Sequence, residues 1–351
     1  MSKIGVGVLS FAHGHVHSYC SQMVNFEDVE LVAAWDDNLE RGKGAADPFG
    51  MAFRPHLEDV LDDPAIKLVF IASETNKHAD LTVAACAAGK DVILQKPMAL
   101  SLADCDRIID AVDRNGVWFS LAFQMRYDPA NRRMKELIDT GALGKIGILR
   151  RRHCLGLLFN QAFVNGPSRW HIDPEANMGM WMDDASHAAD FLLWMLGEPV
   201  SVIAEIDNVL TNVAPDDTGV AIYRFAGGEV GILFNSSVVH AAENTTEIYG
   251  DRGVVLQNYG DVPSLAIPPP PGAVAVRYYD STAPERGWQD QSIPIPAGHG
   301  ERIVAVARNI LDAYRADQPT VSAREGKLST GMILGAYRAA REGRRVGLPL
   351  E

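Results

Sequence analysis

Three short stretches of the chain carry side chains whose types and spacing could move a proton. Gln95-Lys96-Pro97 puts a primary amine directly before a proline, and Arg126-Tyr127-Asp128-Pro129 sets a guanidinium beside a phenol. Asp183-x-x-x-His187-x-x-Asp190 places carboxylates four residues before and three residues after an imidazole. On a helix these three share one face. An imidazole exchanges protons near working pH, and an ammonium stabilises negative charge developing on oxygen. Singly, each stretch has a plainer reading: Lys-Pro after a strand commonly makes a turn, and an acid ahead of a helical histidine commonly starts a solvated helix. The elements that carry them decide between the two.

From Lys3 to about Phe123, short apolar runs alternate with helical patterns. Strands are predicted at Ile4–Leu9, Leu31–Trp35, Lys67–Ala72, Asp91–Leu94 and Trp118–Ala122. Helices follow around Val16–Val24, Leu57–Leu61, His78–Ala88 and Ser101–Asn115. Alternation of this kind implies crossover units and a doubly wound parallel sheet. After Tyr127 a helix at Pro129–Asp139 gives way to long strands at Ile146–Leu157, Val200–Leu210, Gly219–Phe225 and Glu229–Val239. Ala226-Gly227-Gly228 is a hairpin signal between the last two, so a large, mainly antiparallel sheet is expected. Pro268–Pro271 should form an exposed loop. Two amphipathic helices, about 301–316 and 326–343, close the chain. The expected architecture is α/β, with a dinucleotide-binding domain at 1–125 and a substrate-binding and oligomerisation domain at 126–351 that includes these helices.

A doubly wound sheet binds its ligand where the first strand turns into the first helix. Here that turn is Ser10-Phe11-Ala12-His13-Gly14-His15, aligned with G-x-G-x-x-G but holding Ser, Ala and His at the glycine positions. Ser10, Phe11, Ala12 and His13 are the residues expected to face a dinucleotide, with the helix terminus supplying positive potential. Asp36, 26 residues beyond Ser10, is placed to accept from ribose hydroxyls. With Asp37 beside it, a 2′-phosphate would be repelled, which favours NAD over NADP. His13, His15 and His17 converge on a metal only in an extended segment, and this segment must turn, so no metal is expected.

Taken together, the motifs resemble the Gfo/Idh/MocA family of NAD(P)-dependent oxidoreductases, of which glucose-fructose oxidoreductase and inositol dehydrogenase are examples. Besides the three stretches above, Ala72-Ser73-Glu74-Thr75-Asn76-Lys77-His78 is similar to that family's A-T-P-N-x-x-H loop. Arg169-Trp170, Glu247-x-x-Gly250-x-x-Gly253 and the closing Ala336-Tyr337-x-x-Ala339-x-x-Gly343-x-x-Val346 also match in order. The resemblance covers nearly the whole chain. It implies a two-domain enzyme acting on a sugar, cyclitol or related polyol, with Lys96, Asp183 and His187 catalytic. Ser73, Asn76, His78, Gln95, Lys96 and Arg126 would then join the cofactor site. Oxidising a secondary alcohol needs a base, a donor for the developing alkoxide and a hydride acceptor. His187, Lys96 and NAD fit those roles in turn, and Asp183 or Asp190 could orient the imidazole or bind a neighbouring hydroxyl. Asp184 is a candidate N-cap.

Some positions depart from the family pattern. Gln95 replaces the usual Glu and removes a negative charge beside Lys96. Asn177-Met178-Gly179-Met180-Trp181-Met182 replaces a glycine-rich run, so its bulky side chains either narrow the pocket or fill core. Tyr127, His153, Arg169 and Trp170 are the further candidates for substrate contact, because an aromatic plane packs on sugar C–H faces while Arg and His bind hydroxyls. The basic run from Arg126 to Arg152 reads as a solvated face, with an anion-binding rim as its alternative. Two other functions use the same residues: an NAD-assisted lyase or glycosidase with no net redox, and a non-catalytic NAD-binding sensor. One face of the second sheet needs covering, which suggests a homodimer or homotetramer.

The 351 residues carry a formal net charge of −13, which disfavours nucleic acid as a partner. Four scattered cysteines and the absence of a secretory leader pattern suggest a reducing, cytoplasmic setting, and no apolar run is long enough to span a membrane. Residues 1–125 hold ten Lys and Arg against 18 Asp and Glu, a balance of −8. The domain expected to bind an anionic dinucleotide is thus the more acidic one, so binding must rest on loop amides and a helix terminus.

Overall fold

The computed structural model of the chain describes residues 3–240, 244–259, 269–297 and 299–350. It divides into two compact units: Met1–Phe123 with Glu175–Asn177 and Ile303–Lys327, and Gln124–Pro174 with Met178–Arg302 and Leu328–Glu351.

The first unit is built on six strands, β1 (Ile4–Leu9), β2 (Val29–Trp35), β3 (Ala52–Phe53), β4 (Leu68–Ile71), β5 (Asp91–Leu94) and β6 (Phe119–Leu121). They pair in the order β3-β2-β1-β4-β5-β6, all parallel. All four residues of β4 and all but the first of β1 are buried, as strands covered on both faces require. This is the expected doubly wound Rossmann sheet, and its strand order reverses between β1 and β4, the point where such sheets bind ligands. A Cβ on Gly5 would stand 1.8 Å from the Ala65 carbonyl oxygen, so glycine lets the loop before β4 pack on β1. Ser101 Oγ accepts the Asp104 amide at 3.1 Å to start helix Leu102–Asn115.

The second unit holds β7 (Ile146–Cys154), β8 (Pro199–Asp207), β9 (Thr218–Phe225), β10 (Val230–Ser236), β11 (Thr245–Gly250), β12 (Gly253–Gln257), β13 (Val276–Asp280), β14 (Trp288–Asp290) and β15 (Val346–Gly347). Their order is β14-β13-β12-β11-β7-β10-β9-β8-β15. Only β7 and β10 pair in parallel, and the Ala226-Gly227-Gly228 turn joins β9 to β10 as an antiparallel hairpin. Burial alternates along β9, so one face of the sheet is core, covered over β7 and β10 by helix Ala185–Leu196. The opposite face leaves Ile148, Ile203, Val220 and Tyr249 exposed. Of the expected Pro268–Pro271 loop, Pro268 lies outside the described residues.

The closing helices, His299–Arg315 and Ala323–Glu342, do not divide as the sequence suggests. From Ile303 the former belongs to the first unit, and the latter is shared at Lys327. Arg308 pairs with Asp28 at 3.1 Å, Tyr314 Oη donates to Asp91 at 2.7 Å, and the Leu121 amide donates to the Val321 carbonyl at 3.0 Å. Amphipathic periodicity shows that a helix has an apolar face but not which core receives it. Among the described residues no helix is long and apolar enough to cross a membrane.

Candidate active site

In the first unit the loop after β1 begins at Ser10, whose φ of +73° is a left-handed conformation that glycine adopts without strain. The Ser10 hydroxyl compensates locally. It donates to Asp36 Oδ2 at 3.3 Å and accepts the Ala12 amide at 3.2 Å. Asp36 Oδ2 also accepts the Phe11 amide at 2.8 Å. His13 ties the loop to β4 through its amide, 2.8 Å from the Ala72 carbonyl. Helix His15–Met23 then begins, its first amide donating to His13 Nδ1 at 3.4 Å. The His13 and His15 rings meet edge to face at 4.5 Å, whereas His17 turns toward Phe11.

Asp36 is fully buried and does not present the free carboxylate expected for a ribose. Both its oxygens receive the Arg41 guanidinium, at 2.7–3.1 Å, and Oδ1 accepts the Asn38 amide. Arg41 also reaches Asp37 at 3.0 Å and Glu74 at 3.2 Å, and Lys77 bridges the same two acids. Partial burial opposes the charge on Arg41, but Asp36 and Glu74 outweigh it and raise its pKa. One cationic clasp thus fastens the loops after β1, β2 and β4.

The 73–78 loop divides. Ser73 is buried and Asn76 exposed, while Thr75 Oγ1 bonds Asn177 Oδ1 at 2.6 Å. His78 is fully buried, with Nδ1 2.9 Å from the Pro97 carbonyl and Nε2 3.3 Å from that of Ser73. Burial lowers its pKa to about 4, so it is a neutral strut behind the Lys96-Pro97 turn. Gln95 and Lys96 are buried at the end of β5. Gln95 Nε2 donates to Tyr19 Oη at 3.1 Å, while Oε1 is buried without a hydrogen-bond partner among the described residues.

In the second unit, Asp183 ends the short helix Met180–Asp183, and His187 lies in the first turn of helix Ala185–Leu196. Both are buried. His187 Nε2 lies 3.5 Å from Gln124 Nε2, and the His153 ring stacks on His187 at 5.4 Å. Asp183 Oδ1 lies 3.1 Å from His171 Nδ1, an ion-pair distance. The His171 ring stacks on Trp170 at 3.7 Å. Asp183, His187, His153, Trp170 and the buried Tyr127 therefore belong to one unit, as their motifs suggest, whereas Arg169 is exposed. No sequence motif singles out His171 or Gln124, although His171 directly follows Arg169-Trp170.

The structure also places Arg126, Asp190, Asp184 and the 180–182 run, and it corrects the capping role expected of Asp184. Arg126 is committed to Asp190, with Nε to Oδ2 at 3.0 Å and Nη2 to Oδ1 at 2.7 Å, both side chains buried. That pair ties the Arg126 turn to helix Ala185–Leu196. Asp184 occupies the N-cap position, but its carboxylate accepts Ser237 Oγ at 2.9 Å instead of capping the helix. Met180, Trp181 and Met182 fill core.

Comparison with known proteins matches residues 4–123 to the oxidoreductase family's NAD-binding Rossmann fold and residues 131–256 to the GFO/IDH/MocA C-terminal domain. The chain belongs to the Gfo/Idh/MocA oxidoreductase family. Among similar members, myo-inositol 2-dehydrogenase of Thermotoga maritima is 25% identical over 354 residues, 98% of each chain. Levoglucosan dehydrogenase of Pseudarthrobacter phenanthrenivorans is 28% identical over 285 residues, 72% of each. In fold, the chain superposes on the levoglucosan dehydrogenase complex with NADH and L-sorbose with a TM-score of 0.84 at 23% identity over 100% of both chains. As a family member it is an oxidoreductase acting on CH–OH groups, with NAD as cofactor.

The first unit fits that cofactor on its own evidence. Gln95 Oε1 is buried without a hydrogen-bond partner among the described residues, and at Gly14 of the loop a Cβ would meet nothing within 4 Å, so a ligand can approach the backbone closely there.

Proposed function

We propose that the chain oxidises a secondary hydroxyl of a sugar, cyclitol or related polyol, using NAD in preference to NADP. The observation that carries this reading is the buried assembly of Asp183 and His187 with His153, His171 and Gln124, which supplies a base and hydroxyl partners in one place. NAD, when bound, supplies the hydride acceptor. The loop Ser10–His13, Ser73, Gln95 and Lys96 would hold it. His187 takes the hydroxyl proton and Lys96 donates to the oxygen as charge develops on it, so the C–H leaves as hydride and a ketone remains. Asp183 accepts from an adjoining hydroxyl, and the Trp170 ring packs on ring C–H groups. The three acids Asp36, Asp37 and Glu74 outnumber Arg41 and Lys77, which disfavours a 2′-phosphate. Several relatives bear the names of cyclitol and anhydrosugar enzymes, which supports the substrate class. The apolar outer face around Ile148, Ile203, Val220 and Tyr249 is the surface through which copies of the chain would associate.

The test is NADH formation and product identity across cyclitols, aldoses and anhydrosugars. Lys96→Ala and His187→Ala should each lower kcat by about 10²–10⁴-fold while the protein stays folded. Turnover with no accumulated NADH would replace this reading with cofactor-assisted elimination or hydrolysis, and undiminished turnover in both variants would remove the assigned roles.

A further inference from the structure

Asp216 lies in the loop before β9, far in sequence from every motif above, yet its buried carboxylate is aimed at the turn that delivers Asp183. Oδ1 accepts the Trp181 amide at 2.6 Å, and Oδ2 accepts Tyr337 Oη at 2.7 Å. The Met180 amide also faces it. Tyr337 Oη in turn accepts the Met182 amide at 3.2 Å. The first amides of helix Met180–Asp183, which have no intrahelical partner, are therefore satisfied by a carboxylate and a phenol from two other elements. The approach is close enough to exclude a side chain: a Cβ on Gly179, whose φ is +155°, would stand 2.4 Å from Asp216 Oδ2. Trp181 is seated in the same way, since a Cβ on Gly219 would meet its ring at 2.6 Å. The neighbouring Asp217 points elsewhere and holds the amides of Val209, Leu210 and Thr211.

We propose that Asp216, with Tyr337, is a positioning residue for Asp183, fixing the 179–183 turn so that the Asp183 carboxylate meets its partners in the reaction. The inference rests on the catalytic reading above. It requires that the pair act through Asp183 and on turnover, not through cofactor binding, because none of its contacts involves a cofactor-loop residue. Displacements of about 1 Å at a reacting group cost on the order of 100-fold.

The experiment is a double-mutant cycle on purified full-length protein. NADH formation is measured with myo-inositol and with levoglucosan, and NAD affinity by calorimetry. Asp216→Asn keeps shape and one acceptor, and Tyr337→Phe is the second variant should Asp216→Asn fold poorly. Each should lower kcat by about 10-fold or more and leave the Kd for NAD unchanged. In an Asp183→Asn background, itself reduced in kcat, the same changes should have less than a 2-fold further effect. Equal losses in both backgrounds, or losses confined to NAD affinity, would overturn the proposal. If Asp183→Asn alone leaves kcat intact, or no cyclitol, aldose or anhydrosugar is turned over, the catalytic reading fails first and the positioning role falls with it.

Discussion

Each unit fastens one turn of its candidate site with a buried aspartate, and the two do it with different counter-groups. Asp36 holds the Ser10 hydroxyl and the Phe11 amide while a bidentate Arg41 neutralises it. Asp216 holds the Trp181 and Met180 amides and accepts the Tyr337 phenol. A carboxylate serves equally well as acceptor in both turns; the difference lies in what charge it keeps. Burial without a bonded cation, with Asp217 adding repulsion, pushes the Asp216 carboxyl up to about 6 despite the hydrogen bonds it receives.

The comparison breaks most visibly if the cation is removed. Arg41→Ala strands a fully buried carboxylate, and the first unit should lose about 4 kcal/mol of stability, with weaker NAD binding. Thermal unfolding and calorimetry check both, and an unaltered midpoint would show that the clasp is ornamental. The second effect is pH-dependent. A carboxyl raised in the folded state binds its proton more tightly there than when unfolded. Its stabilising contribution is therefore complete below the ordinary Asp range and fades as pH climbs through about 6. Roughly 3 kcal/mol of pH-linked stability is involved, and Asp216→Asn should flatten the corresponding slope of midpoint against pH. The smallest effect concerns Ser10, which combines a strained φ with a hydroxyl that bridges Asp36 and Ala12. Ser10→Ala keeps the strain and loses the bonds, costing about 1 kcal/mol. Ser10→Gly loses the bonds but relieves the strain and should be the more stable of the two. The reverse ranking would mean that the φ carries no cost.

The doubly wound parallel sheet was legible because β1, β4 and β5 are apolar runs separated by helical periods, though the two-residue edge strand β3 was not, and the Ala226-Gly227-Gly228 hairpin because glycine marks that turn. Asp183 and His187 were legible as an acid four residues before an imidazole, although they stand on two successive helices, Met180–Asp183 and Ala185–Leu196, and not on one. What escaped was long-range. Asp36 could be seen as an acid after β2, but nothing in its neighbourhood says that Arg41 would occupy it. Arg126 and Asp190 are 64 residues apart and Asp216 and Tyr337 are 121 apart. Only the fold reveals those pairings. The destination of helix His299–Arg315 was hidden for the same reason.

The most direct test of the catalytic account follows the hydride. The enzyme is incubated with NAD and myo-inositol, or levoglucosan, deuterated at the ring carbons, and both cofactor and product are analysed by mass spectrometry. One deuterium is expected in the NADH formed, with a ketone lacking that deuterium, and both signals should fall by about 10²–10⁴-fold in rate in His187→Ala. A product formed with no deuterium in the cofactor would contradict it.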